Sequence, residues 1–211
     1  MEKELKTGTT TVGVVCKDGV VLAADKRATA GFMVANKKTE KIIKINDDVA
    51  LTTAGTVSDV QLLVKLLKAE LKLKEIRTGR KLQVKEAANL LAGMVYSNIR
   101  KFSVIPGVSH FILGGKDSSG VYIYDLYPDG SLAEVDDFIS SGSGSVYALG
   151  VLETLYKPSM SLDDGIKLSI KAVNAAMQRD VASGEGIDVM TITKDEIKKV
   201  FSQRVDYNIK V

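Results

Sequence analysis

At 211 residues, 45% hydrophobic and 26% charged, the chain suits one domain with a sizeable core. Its 29 basic and 26 acidic residues leave a net charge of only +3, and no apolar run approaches the ~20 residues that span a bilayer. A lone Cys16 leaves no intrachain disulfide framework and the opening MEKELKTG lacks the apolar stretch of a signal peptide, so a soluble cytoplasmic protein is expected.

In chain order, the first signal is the stretch Lys6-Thr7-Gly8-Thr9-Thr10-Thr11-Val12-Gly13. β-branched threonines favour strands, so one reading is a ragged end leading into a strand over residues 10–15. The other is a hidden N-terminus, with Thr9 a nucleophile uncovered once the chain is cut after Gly8. The residues alone leave both open. A hairpin signal at Lys17-Asp18-Gly19 leads to a strand over 19–24, and a turn at Asn46-Asp47-Asp48 joins strands over 41–45 and 49–54. Val60, Leu63, Val64, Leu67 and Leu71 then recur at helical spacing behind Ser58, a suitable N-cap, predicting a helix over 58–76. After a break at Thr78-Gly79-Arg80, Val84, Ala87, Leu91, Met94 and Ile99 mark one side of a second helix.

The densest positive cluster (Lys65, Lys68, Lys72, Lys74, Arg77, Arg80, Lys81) lies along the first helix and its following turn. A solvated helix face accounts for it better than nucleic acid does. Strands are predicted over 109–113, 121–126 and 131–135, the last two joined by Pro128-Asp129-Gly130. The polar run SSGSGS at 140–145 fits neither G-x-S-x-G nor G-x-G-x-x-G and leads into a helix through Leu152 and Tyr156. A helix over 162–182 and a strand over 187–193 follow. Such blocks of strands, two helices, strands, two helices and a strand predict an α+β architecture of antiparallel sheets.

One count removes much chemistry. His110 is the single histidine, so any Ser-His-Asp or Cys-His site would have to be built around it. It sits in SHFILGG, a predicted strand, and reads as structural. One histidine and one cysteine also exclude the common zinc arrangements, so no metal or other cofactor is expected.

Three charged residues stand where the pattern calls for apolar ones. Asp25 ends the run Val-Val-Leu-Ala-Ala and shares parity with Val21 and Ala23; Lys41 shares parity with Ile43 and Ile45. Asp180 continues the stripe Ile166, Ile170, Val173, Met177, where a negative charge opposes the helix dipole, and Gly184 is a natural cap beyond it. A strand end, a snorkelling stem and a solvated last turn are the ordinary explanations. Together the three point to a site, and a buried Lys41 would need a carboxylate such as Asp25.

Taken in order, these segments resemble a known family, the archaeal-type β subunits of the 20S proteasome. The matching pieces are GTTTVG at 8–13, LAADKRAT at 22–29, Lys41 ahead of Ile42-Ile43, TTAGTVSD at 52–59, GSGS at 142–145, GVLE at 150–153 and QRDVASG at 178–184. The resemblance implies a four-layer αββα sandwich of two antiparallel sheets, the N-terminal-nucleophile hydrolase fold, carrying a threonine-type endopeptidase. It implies that residues 1–8 are a propeptide removed autocatalytically between Gly8 and Thr9, and that 9–211 form a single catalytic domain. Thr9 is the implied nucleophile, with Asp25 and Lys41 beside it. Ser143, Asp180 and Ser183 would surround its amino group, and the Gly55 N–H would stabilise the oxyanion. Arg27 matches the family's arginine just past the aspartate, and the backbones of Thr29 and Gly55 would align a peptide. Ala28, Thr39, Ile43, Thr53 and Val57 would line an uncharged main pocket. The implied partners are other β subunits in a heptameric ring, α-subunit rings, a regulatory ATPase acting indirectly and polypeptide substrates, with no nucleic acid and no membrane. One departure is Ser183-Gly184-Glu185-Gly186, where the family often has paired glycines.

Catalysis without imidazole is chemically sound on this reading. An α-amine titrates near ~8 and a lysine near ~10.4, so at pH 7 roughly a tenth of the amine is neutral but well under a thousandth of an ordinary lysine. A freed Thr9 amine is therefore a usable base for its own hydroxyl. Two alternatives compete: a non-catalytic β-type ring subunit, which would require loss of the threonine, lysine or aspartates, and an N-terminal-nucleophile amidohydrolase of a small substrate. All of those residues are present.

Overall fold

Strand pairing sets the frame. In the computed structural model, which describes residues 8–206, β1 (Thr11–Cys16) and β2 (Gly19–Asp25) form the expected antiparallel hairpin. β10 (Phe138–Ser141) pairs with the free edge of β1, while β11 (Gly186–Ile192) and β12 (Ile197–Arg204) extend the sheet beyond β2. The second sheet runs, antiparallel throughout, from β5 (Ile42–Lys44) through β6 (Val49–Gly55), β7 (Ser109–Lys116) and β8 (Val121–Leu126) to β9 (Leu132–Val135). A small separate hairpin pairs β3 (Ala28–Ala30) with β4 (Met33–Asn36).

Each sheet is covered by a helix pair on its outer face. α1 (Val57–Thr78) and α2 (Val84–Ile99) lay Leu63, Leu67, Leu91 and Val95 against Leu51, Phe111 and Leu113 of the second sheet. α3 (Ser145–Leu155) and α4 (Leu162–Met177) set Ala148, Leu152, Ala172 and Val173 against Val12, Val14, Val21 and Val189 of the first. Between the sheets, Val20, Leu22 and Ile192 meet Ile42, Ala50, Ile112 and Ile123. The product is a four-layer αββα sandwich. Burial on both faces explains why β2 reads as an unbroken apolar run rather than an alternating one. Among the described residues, no helix is long and apolar enough to cross a membrane.

Several elements differ from the sequence reading. β3, β4, β10 and β12 lack its strand signals because they are short, polar or largely exposed; β12, KKVFSQR after Ile197, is an edge strand with a mostly solvated surface. α1 starts at Val57 behind Thr56, so Ser58 lies inside the helix instead of capping it. α4 stops at Met177, with Gln178 as its C-cap, several residues short of the predicted end. Asp180 consequently stands in the turn beyond the helix, its N–H donated to the Ala176 carbonyl, and Gly184 is not the helix cap. The apolar stripe that suggested a longer helix ends at Met177, after which polar side chains have other partners.

The antiparallel pairing gathers chain ends at one edge of the sandwich. Thr11 faces Ala24 on one side and Ser141 on the other, and Asp25 faces Ile187. The start of β1, the ends of β2 and β10 and the start of β11 therefore meet. Ile112 lies under this region at the centre of the inter-sheet layer, fully buried. Ile112→Ala should lower unfolding free energy by about 3 kcal/mol, because a buried aliphatic truncation loses both transfer energy and packing. Guanidinium denaturation followed by circular dichroism measures this; a loss below about 1 kcal/mol would contradict the packing described.

Candidate active site

The carboxylate of Asp25 lies at the end of β2 with only 1% of the residue exposed. Its Oδ1 accepts from the Lys41 Nζ at 2.7 Å and the Thr10 N–H at 2.9 Å. Its Oδ2 accepts from the backbone N–H groups of Arg27 at 3.0 Å and Gly184 at 2.9 Å. Four donors thus occupy a group that offers about four acceptor positions. Lys41 reaches this carboxylate from just ahead of β5 and is itself 4% exposed.

Thr9 stands two residues before β1, buried beside this pair. Its hydroxyl lies 2.7 Å from the carbonyl oxygen of Gly8, and Lys41 Nζ lies 3.4 Å from the same oxygen. The Thr9 N–H donates to Ser143 Oγ at 3.2 Å. The hydroxyls of Ser143 and Ser183 each donate to Asp180 Oδ2 at 2.6 Å, and Ser183 also bonds the Thr10 hydroxyl at 2.7 Å. A chain of oxygens therefore runs from the Thr9 nitrogen to Asp180. Gly8 packs against Ala182 so closely that a Cβ at residue 8 would sit 1.6 Å from the Ala182 Cβ. Only glycine fits there in this arrangement.

Beside Thr9 opens a cavity of about 160 Å³. The structure brings Ala28, Thr29, Thr39, Ile43, Thr53, Gly55 and Val57 to its walls, together with Thr9 and Lys41. Gly55 closes β6 with a φ of +116°. Arg27 is not among the lining residues: its guanidinium turns away to the Val181 carbonyl at 2.8 Å and Glu185 at 3.1 Å. Val60 and Gln61, one helical turn beyond Val57 on α1, join the wall; the sequence reading does not name them, although their i+3 and i+4 spacing from Val57 is the signal that points to them. Glu40 also lines the cavity, so its rim is not wholly uncharged as the sequence reading expects; this exposed carboxylate is paired with Lys199 Nζ at 2.5 Å. Among the described residues, no cluster of histidine, cysteine or carboxylate side chains could hold a metal ion.

Residues 5–192 match the family described as proteasome subunit. The chain belongs to that family. It is 46% identical over 206 residues to a proteasome subunit beta of Archaeoglobus profundus, covering 98% of this chain and 94% of that one. The corresponding protein of Archaeoglobus fulgidus is 43% identical over 98% of this chain and 95% of its own. That of Methanopyrus kandleri is 42% identical over 92% of this chain and 90% of its own.

In this proteasome-family chain the buried charge pair has a definite electrostatic bias. Desolvation pushes the Lys41 pKa below the ordinary lysine value; the Asp25 carboxylate, by charge and hydrogen bond, opposes that shift without cancelling it. A lysine whose folded pKa lies below its unfolded one penalises folding most at low pH. The penalty fades as pH rises from the folded toward the unfolded value. Asp25→Asn would strip Lys41 of its counter-ion, lowering its pKa further and destabilising the fold by about 3 kcal/mol. The loss should be larger at pH 6 than at pH 9, where the buried amine sheds its proton more readily. Denaturant midpoints at the two pH values decide the matter; equal losses would refute the assigned bias.

Proposed function

We propose that this chain is a catalytic β subunit of a 20S proteasome core, a threonine-type endopeptidase whose nucleophile is Thr9 after removal of residues 1–8. The observation that carries this reading is the approach of Thr9 Oγ1 to the Gly8 carbonyl beside the buried Lys41–Asp25 pair. Of the proposed propeptide, all but Gly8 lies outside the described residues.

Self-cleavage begins with attack of Thr9 Oγ1 on the Gly8 carbonyl carbon. The Thr9 nitrogen is still an amide and cannot serve as base, so a water or neighbouring side chain takes the hydroxyl proton. The tetrahedral intermediate breaks its C–N bond as the nitrogen gains a proton, leaving an ester and a free amine. Water then hydrolyses the ester, releasing the peptide that ends in Gly8 and regenerating the hydroxyl. Lys41 and the Gly55 N–H are assigned to the developing oxyanion, an interaction whose loss costs about 3 kcal/mol in comparable sites. Once freed, the amine acts as base for attack on substrate peptides, with Ser143, Asp180 and Ser183 fixing its orientation. Burial brings the Lys41 ammonium closer to releasing a proton, which suits it to relay one between the hydroxyl and the leaving amine. Assembly follows the family: heptameric β rings stacked against α-subunit rings, fed with unfolded polypeptide by a regulatory ATPase.

N-terminal sequencing of the assembled particle tests the cleavage. Wild type should begin at Thr9, whereas Thr9→Ala should keep MEKELKTG and cleave no peptide; active particles that begin at Met1 would overturn the mechanism. Light scattering of the same sample separates a particle of several hundred kilodaltons from the small oligomer an amidohydrolase would form.

Cavity chemistry predicts specificity. Ala28, Ile43, Thr53, Val57 and Val60 offer no partner for a charge, Lys41 is committed to Asp25, and Glu40 to Lys199. Fluorogenic peptides with Leu or Phe at the scissile residue should be cleaved with kcat/KM ~10-fold or more above those with Arg or Glu, because an unpaired buried charge is costly. A preference for Arg or Glu would show that another cleft receives that side chain.

A further inference from the structure

Glu185 breaks a local rule that the proposed mechanism does not use. Its φ of +68° lies in the left-handed region, which a residue with a Cβ rarely adopts and glycine adopts freely. The residue is also 4% exposed, an uncommon place for a glutamate unless it is paired. Its Oε1 accepts from Arg27 Nη2 at 3.1 Å, and Arg27 Nη1 donates to the Val181 carbonyl at 2.8 Å. The guanidinium lies against Gly184, where a Cβ would come within 2.6 Å of its Cζ. Arg27 thus spans the turn from Val181 to Glu185 on its side-chain end. On its backbone end, its N–H shares Asp25 Oδ2 with the Gly184 N–H. That turn carries Ser183 and follows directly on Asp180, the groups tied to the Thr9 nitrogen and the Thr10 hydroxyl.

We propose that Glu185 is a positioning residue: through Arg27, its carboxylate clamps the 180–186 turn so that Asp180, Ser183 and the Gly184 N–H stay registered on Thr9 and Asp25. This inference rests on the proposed threonine chemistry. A glycine at 185 would relieve the backbone and lose only the clamp, so fold stability and catalytic geometry should separate. A merely structural glutamate gives the opposite result, activity following stability.

The test uses assembled, processed particles of wild type, Glu185→Gly, Glu185→Gln and Arg27→Met with one fluorogenic peptide. Wild-type turnover and covalent capture of Thr9 by a threonine-directed inhibitor come first; their absence would sink the threonine reading and not the clamp. With wild type active, Glu185→Gly should unfold at the same or a higher temperature, while kcat falls ~10-fold and KM stays within about twofold. Arg27→Met should lose a similar factor, and the double variant should lose no more than either single one. Glu185→Gln, whose amide oxygen can still accept from Arg27, should recover most of kcat. Glu185→Gly with kcat within about twofold of wild type overturns the proposal, as does additive loss in the double variant. Failure of Glu185→Gly to assemble also overturns it, by making Glu185 a residue of folding.

Discussion

The carboxylate of Asp25 ties Lys41 to the chain ends that strand pairing gathers at one edge of the first sheet. One oxygen takes the ammonium of Lys41, from just ahead of β5, and the N–H of Thr10, next to the nucleophile candidate. The other takes the N–H groups of Arg27 and Gly184, from the end of β2 and the loop before β11. An ionised carboxylate removed from water is tolerated only when its acceptor positions are filled, so the four donors are obligatory rather than decorative. Their positions are fixed in return. Asp25 holds Lys41 near the Gly8 carbonyl, Thr10 against the strand and Gly184 beneath the Arg27 guanidinium.

The second constraint is that the chain has one histidine, and it is engaged elsewhere. His110 Nε2 bonds the buried Asp125 at 2.6 Å and stands beside the Tyr127 ring, part of the second sheet rather than of the Thr9 cluster. Acid–base work at Thr9 therefore falls to amines and hydroxyls on the proposed reading. Burial lowers the Lys41 pKa and a chain terminus is intrinsically less basic than a lysine, so each is brought closer to neutrality by a different physical route. The hydroxyls of Ser143, Ser183 and Thr10 add short bonds around Asp180 without adding net charge. The adjoining cavity is lined mostly by small and apolar side chains, and Glu40 on its wall is paired with Lys199.

Much of the frame was legible because it follows from local rules. The hairpins at Lys17-Asp18-Gly19, Asn46-Asp47-Asp48 and Pro128-Asp129-Gly130, and the apolar stripes of α1 and α2, depend on nearby residues alone, and each lies within a few residues of where periodicity puts it. The misses have two causes. β10 gains its pairing from β1, distant in sequence, whereas β3–β4 and β11–β12 are local hairpins in which β3, β4 and β12 are too short or too exposed to need an apolar pattern. α4 ends at Met177 because Asp180 and Ser183 are drawn into bonds with Ser143 and Thr10, contacts no helical periodicity encodes.

By itself, the sequence determined most of the order of elements and left any imidazole-based site to be built around His110. It made Asp25, Lys41 and Asp180 candidates, because a charge on an apolar face is visible without coordinates; Thr9 joined them through the family resemblance. The family followed from motifs spread along nearly the whole chain. Tertiary structure alone decided that Asp25 and Lys41 are a buried pair, that Gly8 has no room for a Cβ, and that Arg27 belongs to Glu185 and not to the cavity. The reason is distance along the chain. Periodicity and turn chemistry act over a few residues, whereas Ser143 meets Thr9 across 134 positions and Gly184 meets Asp25 across 159. Those meetings exist only once β10 and β11 have joined the hairpin of β1 and β2.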